Sequence, residues 1–333
     1  MFNKLSQQPV SLLESMRARE VIKPYLTPTQ CLLNSGLSQL LDAEVYIKYE
    51  NQNPTGSFKI RGGINLMANL SPLTDSGVIT FSTGNHGLSV ATSAALFNIP
   101  ATIVVPENNT LAKNRKIREA GAELIETGST FEQASMAAEK LCEQRDLFYV
   151  HPANQPQLIN GVGSEFLELI ETVPDLDAVI VPLGAGSEVA AAITTLKPIN
   201  PKIEIFAVQA KSSKAAWSSW KSGLIQTADN TTFAGGFATG SAYELPFTIY
   251  KNNITDFVLL SEQEIYRSIA LAFYYTQNML EGAGASTIMA AIKLKPQLKG
   301  KKVVLQFSGC NASTDEIKTA CQLDEFESGY LTQ

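Results

Sequence analysis

The sequence contains few of the side chains that bind transition metals. Histidine occurs only at His86 and His151 in a chain of 333 residues. The four cysteines are scattered and include no Cys-x-x-Cys pair: Cys31, Cys142, Cys310 and Cys321. A structural zinc site needs four such ligands at short spacings, so the sequence predicts no metal site of this kind. Scattered cysteines also fit a reducing compartment, which favours the cytoplasm.

Long apolar runs and an excess of basic residues are also missing. No run is long enough to cross a bilayer, and the first eight residues lack the apolar core of a signal peptide. The formal net charge is −6, whereas nucleic-acid-binding proteins usually carry a basic surface. We therefore expect neither a membrane nor a nucleic acid as a partner. A small anion is still a possible ligand, because a local site can be positive on an acidic protein.

The sequence does contain an alternation of strand-like and helix-like segments. Runs rich in β-branched residues, such as 101–105, alternate with stretches rich in alanine and leucine, such as 85–97. This alternation predicts an α/β protein with parallel sheets and helices on both faces. The length of 333 residues, 44% of them hydrophobic, is enough for one or two domains.

The most informative segment runs from Asn53 to Gly62 and reads Asn-Pro-Thr-Gly-Ser-Phe-Lys-Ile-Arg-Gly. Proline and glycine predict a turn, and Ser57 is expected to cap a following helix. Lys59 would then lie near the positive end of the helix dipole, where an ammonium is unfavourable. This position favours a neutral amine or an imine. A lone lysine beside a turn is nevertheless usually an ordinary solvated side chain.

This decapeptide closely resembles the cofactor-lysine motif of the fold-type II enzymes that use pyridoxal 5'-phosphate (PLP), above all the threonine/serine dehydratase and serine racemase branch. The resemblance covers nearly the whole chain. It implies two doubly wound open-sheet α/β lobes of the tryptophan synthase β-like fold, with the cofactor in the cleft between them. Residues 1–76 and 151–333 would form the large PLP-binding domain, and residues 77–150 the small mobile domain. Lys59 would form a Schiff base with PLP, and Phe58 would pack near its pyridine ring.

A second motif, Ser-Thr-Gly-Asn-His-Gly at 82–87, follows a strand-like run and opens a helix. Such a turn presents backbone N–H groups to an anion, although an ordinary helix cap has the same pattern. The family resemblance favours an anion site and implies that the loop binds the substrate α-carboxylate. The implied contacts are Ser82, Thr83, Asn85 and His86. Asn85 would also hydrogen-bond to the phenolic oxygen of PLP.

Thr83 bears on the type of reaction. Serine racemases of this group have a serine acid/base at this position, whereas dehydratases often have alanine. The threonine hydroxyl therefore keeps racemisation open, while its methyl group crowds the site.

A third motif, Gly-Ala-Gly-Ser-Glu at 184–188, follows the buried strand-like run 178–182. Gly-x-Gly alone could also belong to a dinucleotide fold, but Val189 occupies the third glycine position. The PLP family normally has four glycines here, which implies that this loop binds the cofactor phosphate. The implied contacts are Gly184, Ala185, Gly186, Ser187 and Glu188. Because a carboxylate is unusual beside a dianion, Glu188 is expected to point away.

Two motifs near the end of the chain complete the resemblance. Segment 307–311 resembles a Ser-Gly-Gly-Asn motif, which implies that Ser308 contacts the pyridine nitrogen. A hydroxyl partner makes the ring a weaker electron sink than a carboxylate would, and this suits β-elimination. Cys310 replaces a glycine and is expected to be a small buried residue. Segment 280–286 resembles a Glu-Pro-Ala-Gly-Ala motif, in which the role of Glu281 is open.

Several relatives carry a divalent-cation site whose acidic ligands would align near Gln209 and Ala215. Neither residue has a carboxylate, and a site poor in carboxylates is a poor host for Mg²⁺ or Ca²⁺. The resemblance therefore implies that this site is lost, with Lys214 as a candidate for a fixed positive charge in its place.

Together these features imply a PLP-dependent ammonia-lyase that converts L-threonine, L-serine or both to a 2-oxo acid and ammonia, with Lys59 as the general base. Three alternatives are open: a serine or threonine racemase, a dehydratase of a bulkier β-hydroxy amino acid, and a protein that binds PLP or an amino acid without turnover. Aromatic residues in the segment 233–246 either admit a bulkier substrate or belong to the core. A homodimer is the family expectation.

Overall fold

The structure is a computed structural model that describes residues 8–71, 76–129 and 131–330. Most of the N-terminal stretch without a signal-peptide core, residues 1–7, lies outside the described residues. Contacts between Cα atoms divide the chain into two compact units. The small-sheet unit comprises Met1–Thr27 and Lys59–Ser164, and the large-sheet unit comprises Pro28–Phe58 and Glu165–Gln333.

Helices and strands alternate along most of the chain. The strands are β1 (Cys31–Leu33), β2 (Glu44–Lys48), β3 (Val78–Phe81), β4 (Ala101–Val105), β5 (Glu123–Glu126), β6 (Phe148–Tyr149), β7 (Ala178–Pro182), β8 (Glu204–Ala210), β9 (Asp256–Leu260) and β10 (Lys302–Gln306). The α-helices are α1 (Leu12–Ile22), α2 (Ser35–Leu41), α3 (Lys59–Leu70), α4 (Asn85–Leu96), α5 (Leu111–Glu119), α6 (Phe131–Arg145), α7 (Pro156–Thr172), α8 (Ser187–Ile199), α9 (Ala215–Ser222), α10 (Glu244–Tyr250), α11 (Glu262–Thr276), α12 (Gly282–Ala285), α13 (Thr287–Lys293), α14 (Lys295–Leu298), α15 (Thr314–Ala320) and α16 (Glu325–Ser328). Short 3-10 turns cover Glu50–Gln52, Lys211–Ser213 and Gly235–Phe237.

The large-sheet unit is built on a six-stranded sheet, within the described residues, in the order β1-β2-β10-β7-β8-β9. Only the edge pair β1 and β2 is antiparallel, and the other pairs in this sheet are parallel. Strand β7 is buried at all of its residues. Helices cover both faces of such a strand, which explains why it is a continuous apolar run without alternation.

The small-sheet unit contains a parallel sheet of four described strands in the order β5-β4-β3-β6. Its core is made of apolar side chains from the sheet and from α3 and α4, among them Leu66, Val90 and Ile103. The predicted α/β class with two open sheets is confirmed.

The contact-based units and the predicted domains differ in where they assign two segments. The four strands of the smaller sheet lie within the predicted small domain, residues 77–150. Residues 59–76 and 151–164, however, group with this sheet by contacts, although they belong to the predicted large domain. The domain boundaries 1–76 with 151–333, and 77–150, stay a prediction.

Candidate active site

The turn Asn53–Phe58 leads directly into α3, whose first residue is the predicted cofactor lysine, Lys59. The backbone N–H of Gly56 donates to the Asn53 carbonyl at 2.7 Å, and Gly56 has a φ of 70°, which glycine adopts without strain. The prediction that Ser57 caps α3 is wrong. Its hydroxyl is buried without a hydrogen-bond partner, because its backbone is bridged to Gly309 and directs the side chain inward.

The motif around Ser308 lies against this turn within the large-sheet unit. The Phe58 N–H donates to the Ser308 carbonyl at 3.1 Å, and the Cys310 N–H donates to the Gly56 carbonyl at 2.9 Å. The Asn311 side chain adds a bond from Nδ2 to the Thr55 carbonyl at 2.8 Å. The residue that precedes Lys59 is therefore held at the backbone of Ser308. Cys310 is only partly buried, with its Sγ 3.4 Å from the Asn51 carbonyl.

The Glu281 motif contacts the segment 307–311, which contains Ser308. The Glu281 N–H donates to the Gly309 carbonyl at 3.3 Å. Glu316 joins the two segments, because its Oε1 accepts from the Gly282 N–H at 3.2 Å and its Oε2 from the Ser313 N–H at 2.6 Å. Two segments that are distant in sequence, the turn before Lys59 and the Glu281 motif, thus converge on Ser308 and Gly309.

The predicted phosphate loop connects β7 to the N-terminus of α8. Gly186 caps this helix in the left-handed conformation, with a φ of 92°, and its carbonyl accepts the first helical bond from Ala190. The N–H groups of a first helical turn lack intrahelical acceptors, which makes them suited to an anion. A Cβ atom on Gly184 would lie 1.9 Å from the Gly236 carbonyl, so only glycine fits beneath this neighbouring turn. Glu188 is buried in the first turn of α8, where the helix dipole favours its carboxylate.

The predicted carboxylate loop, residues 82–87, lies between a strand and a helix of the small-sheet unit, as the predicted phosphate loop does in the large-sheet unit. It joins the end of β3 to the N-terminus of α4, where Gly84 is the cap and its carbonyl accepts from Leu88. Ser82, Thr83 and Asn85 are partly exposed. The loop therefore combines polar side chains with the N–H groups of a helix N-terminus, an arrangement suited to a carboxylate.

His86 differs from the other residues of this loop because it is buried and neutral. Its Nε2 is 3.1 Å from Thr80 Oγ1, and that hydroxyl donates its own hydrogen to the Val150 carbonyl at 2.8 Å. The Thr80 oxygen must therefore accept, so Nε2 carries the proton. Burial lowers the pKa of His86 to about 3, and the positive charge of Lys59 adds to this effect. His86 can offer a substrate carboxylate its backbone N–H, but not an imidazolium charge.

Lys59 and the carboxylate loop begin two helices that pack closely together, α3 and α4. Ser89 Oγ donates to the Lys59 carbonyl at 2.6 Å. A Cβ atom on Gly63 would lie 2.4 Å from Ser93 Oγ, so the close approach depends on that glycine. The backbone of Lys59 is thus fixed to the helix that carries the carboxylate loop.

The family described as "Pyridoxal-phosphate dependent enzyme" matches residues 22–309. The chain belongs to this family.

Individual relatives agree with the family match. The chain is 35% identical over 310 residues to an L-threonine ammonia-lyase of Thermotoga maritima, covering 92% of this chain and 77% of that protein. It is 33% identical over 314 residues to a serine racemase of Dictyostelium discoideum, covering 92% and 97% of the two chains. The processed form of threonine deaminase isoform 2 from Solanum lycopersicum superposes with a TM-score of 0.88 at 29% identity, over 95% of this chain and 96% of that one.

The residues present fit the cofactor of this PLP-dependent family. Lys59 supplies a primary amine, and the first turn of α8 with Ser187 supplies donors for a phosphate. Ser308, which is only 5% exposed, supplies a hydroxyl at the end of β10, next to the residue before Lys59. Each group is carried on a backbone that other segments hold in place.

Among the residues that the structure describes, no group of three or more histidine, cysteine, aspartate and glutamate side chains is arranged to hold a metal ion. At the predicted position of the lost cation site, Gln209 Oε1 accepts from the Trp217 N–H at 3.1 Å. The absence of a metal stays a prediction. None of the helices in the described part of the chain has the length and apolarity to span a membrane.

The structure also answers one question that the sequence left open and reveals residues that it missed. Phe237 is fully buried in the core of the large-sheet unit, and the Phe233 ring stacks on Tyr266 with centroids 3.9 Å apart. Both rings therefore belong to the packing of the protein, while a bulkier substrate stays an open alternative through Tyr243, which is partly exposed. Thr80 and Ser89 escaped notice, because a threonine in a strand and a serine in a helix carry no functional pattern.

Proposed function

We propose that this protein is a PLP-dependent ammonia-lyase for L-threonine, L-serine or both. The substrate loses its Cα hydrogen and its β-hydroxyl as water, and water is taken up again when ammonia leaves and the 2-oxo acid forms. The observation that carries the proposal is Lys59 at the start of α3, preceded by a turn whose backbone is bonded to Ser308. Similarity to the threonine ammonia-lyase of Thermotoga maritima supports it.

PLP supplies, when bound, a conjugated ring that stabilises negative charge at the substrate Cα. The chain's own residues bind and orient the reactants. The N-terminus of α4, with Ser82, Thr83 and Asn85, holds the substrate carboxylate, and the N-terminus of α8 holds the cofactor phosphate. Lys59 Nζ removes the proton from Cα as general base. The Ser308 hydroxyl binds the pyridine nitrogen without a full negative charge, which suits β-elimination.

The experiment that tests this proposal is 2-oxo acid release from the PLP-loaded protein with L- and D-serine and with L- and D-threonine. We expect release with an L-isomer and none from Lys59→Ala, because the general base is lost. The exposed Lys23→Ala is the matched control and should retain the wild-type rate. Equal rates for Lys59→Ala and the wild type would refute the assignment of Lys59.

A serine racemase is the second candidate, supported by the hydroxyl of Thr83 and by similarity to the Dictyostelium discoideum enzyme. Chiral analysis of the recovered substrate distinguishes the two activities. If Thr83 is the second acid/base, Thr83→Ala abolishes the formation of D-serine while Thr83→Ser retains it. D-serine formation that survives Thr83→Ala would exclude this role.

We further propose that the protein acts in the cytoplasm as a homodimer, with a small mobile domain at residues 77–150. Support for a dimer comes from the edge strand β1, where Leu32 and Leu33 are 48% and 55% exposed. Exposed apolar side chains on an edge strand are usually covered by another chain. Light scattering of the purified protein should give twice the chain mass of 36.0 kDa.

A further inference from the structure

A cluster of buried charges lies behind the turn that leads to Lys59. Lys48, at the end of β2, is fully buried, and lysine is rarely found in this state without partners. Its Nζ lies 2.5 Å from Glu168 Oε2, 2.9 Å from the Thr29 carbonyl and 3.7 Å from Glu50 Oε1. One ammonium is thus shared by two carboxylates, one from α7 and one from the 3-10 turn Glu50–Gln52.

Glu50, which is also fully buried, uses its two carboxylate oxygens differently. Oε1 faces the charge cluster and accepts from Thr29 Oγ1 at 2.5 Å. Oε2 accepts from Asn53 Nδ2 at 2.7 Å, and the same Nδ2 donates to the Glu50 carbonyl at 2.9 Å. Hydrogen bonds to an ionised acceptor are roughly twice as strong as neutral ones. The negative charge that Lys48 stabilises therefore strengthens the bond to Asn53.

Asn53 is the first residue of the turn whose end carries Lys59. Its carbonyl accepts from the Gly56 N–H, which closes the turn. At the other end, the Phe58 N–H is bound to the Ser308 carbonyl. The start of the turn is therefore set by Glu50, and its end by the backbone of Ser308.

We propose that Glu50 is a positioning residue for Lys59, acting through Asn53. The buried carboxylate fixes the first residue of the turn, so that the amine of Lys59 is presented to PLP in one place. This inference rests on the proposed function, because it concerns the cofactor lysine.

The chain offers a matched pair of variants for the test. Glu50→Gln and Glu168→Gln each remove one carboxylate from Lys48, but Asn53 makes its side-chain hydrogen bonds with Glu50. In Glu50→Gln the new amide can donate to the Thr29 hydroxyl while its oxygen still accepts from Asn53, so the variant removes the negative charge from the acceptor of Asn53. Asn53→Ala leaves the ion pairs intact, and so keeps the test decisive if Glu50→Gln folds poorly.

The first measurement is the dissociation constant for PLP, obtained by titrating PLP into the cofactor-depleted form of each variant. The second is the fraction of Lys59 that carries PLP after reduction with borohydride. We expect Glu50→Gln, which removes the charge of the acceptor, and Asn53→Ala, which removes the hydrogen bond, each to weaken PLP binding by about tenfold. The double variant of Glu50→Gln and Asn53→Ala should bind PLP no more weakly than the single variant with the lower PLP affinity, because both substitutions act on one contact. Glu168→Gln should unfold at lower urea concentration, yet bind PLP within about twofold of the wild type.

Three results would overturn the inference. A PLP affinity of Glu50→Gln within about twofold of the wild type would show that Glu50 serves stability alone, while the proposed function would stand. Additive losses in the double variant would show that Glu50 does not act through Asn53. A wild-type chain that takes up no PLP on Lys59 would overturn the proposed function itself, and the positioning role with it.

Discussion

The burial of His86 predicts a loss of stability in mild acid. Its pKa is about 3 in the folded chain and 6.5 ordinarily, so the unfolded chain binds more protons between these two values. The free energy of unfolding is therefore not reduced by His86 above pH 6.5, and it is reduced progressively as the pH falls from 6.5 towards 3. Each pH unit within this window costs about 1.4 kcal/mol, so the free energy of unfolding should fall by about 2 kcal/mol between pH 7 and pH 5 through this residue alone.

Urea unfolding of the cofactor-depleted chain at pH 7, 6 and 5 measures this effect without a contribution from ligand binding. The difference between the wild type and His86→Gln isolates His86, because carboxylates titrate in both chains. His151→Gln is the companion variant, since burial also lowers the pKa of His151 and the chain has no other histidine. A difference between wild type and His86→Gln that stays constant from pH 7 to pH 5 would refute the assignment of a buried neutral imidazole.

Further predictions concern close approaches around the site. Gly184→Ala should lower the free energy of unfolding by about 1–3 kcal/mol, because its Cβ would meet the Gly236 carbonyl. The melting temperature should fall accordingly, and PLP should bind more weakly. Gly240→Ala, where the nearest atom is 3.8 Å from the added Cβ, is the neutral control in both calorimetry and PLP titration. Ser89→Ala should cost about 1 kcal/mol of stability in urea unfolding and lower the rate of 2-oxo acid release, because the Lys59 carbonyl loses its side-chain donor. Unchanged rates in Ser89→Ala would show that this bond does not help to place Lys59.

Local patterns predicted the elements that carry the site. The buried run at 178–182 is strand β7, and Lys59 lies at the start of a helix as its motif indicated. Helix α7 begins at Pro156, because proline is well suited to the first helical position. The Ser57 cap failed because a bridge to Gly309, far away in sequence, determines where that side chain points.

Contacts between distant segments could not be predicted from the pattern. Lys48 and Glu168 are 120 residues apart, and a single sequence contains nothing that pairs them. The same holds for Thr80, whose hydroxyl determines the tautomer of His86 by bonding to Val150, 70 residues away. The chemical groups of the site can be read from the sequence, whereas the side chains that orient them depend on the tertiary fold.

The place of β10 in the large sheet has a consequence for biosynthesis. Among the described strands β10 is the last in chain order, yet it pairs with both β2 and β7 at the centre of the sheet. Until it arrives, β2 and β7 have unpaired edges, and the turn before Lys59 has no Ser308 to bind. Unpaired edges of this kind promote aggregation of nascent chains. The cofactor lysine is therefore placed only once β10 has been synthesised, and uptake of PLP by a shorter nascent chain is disfavoured.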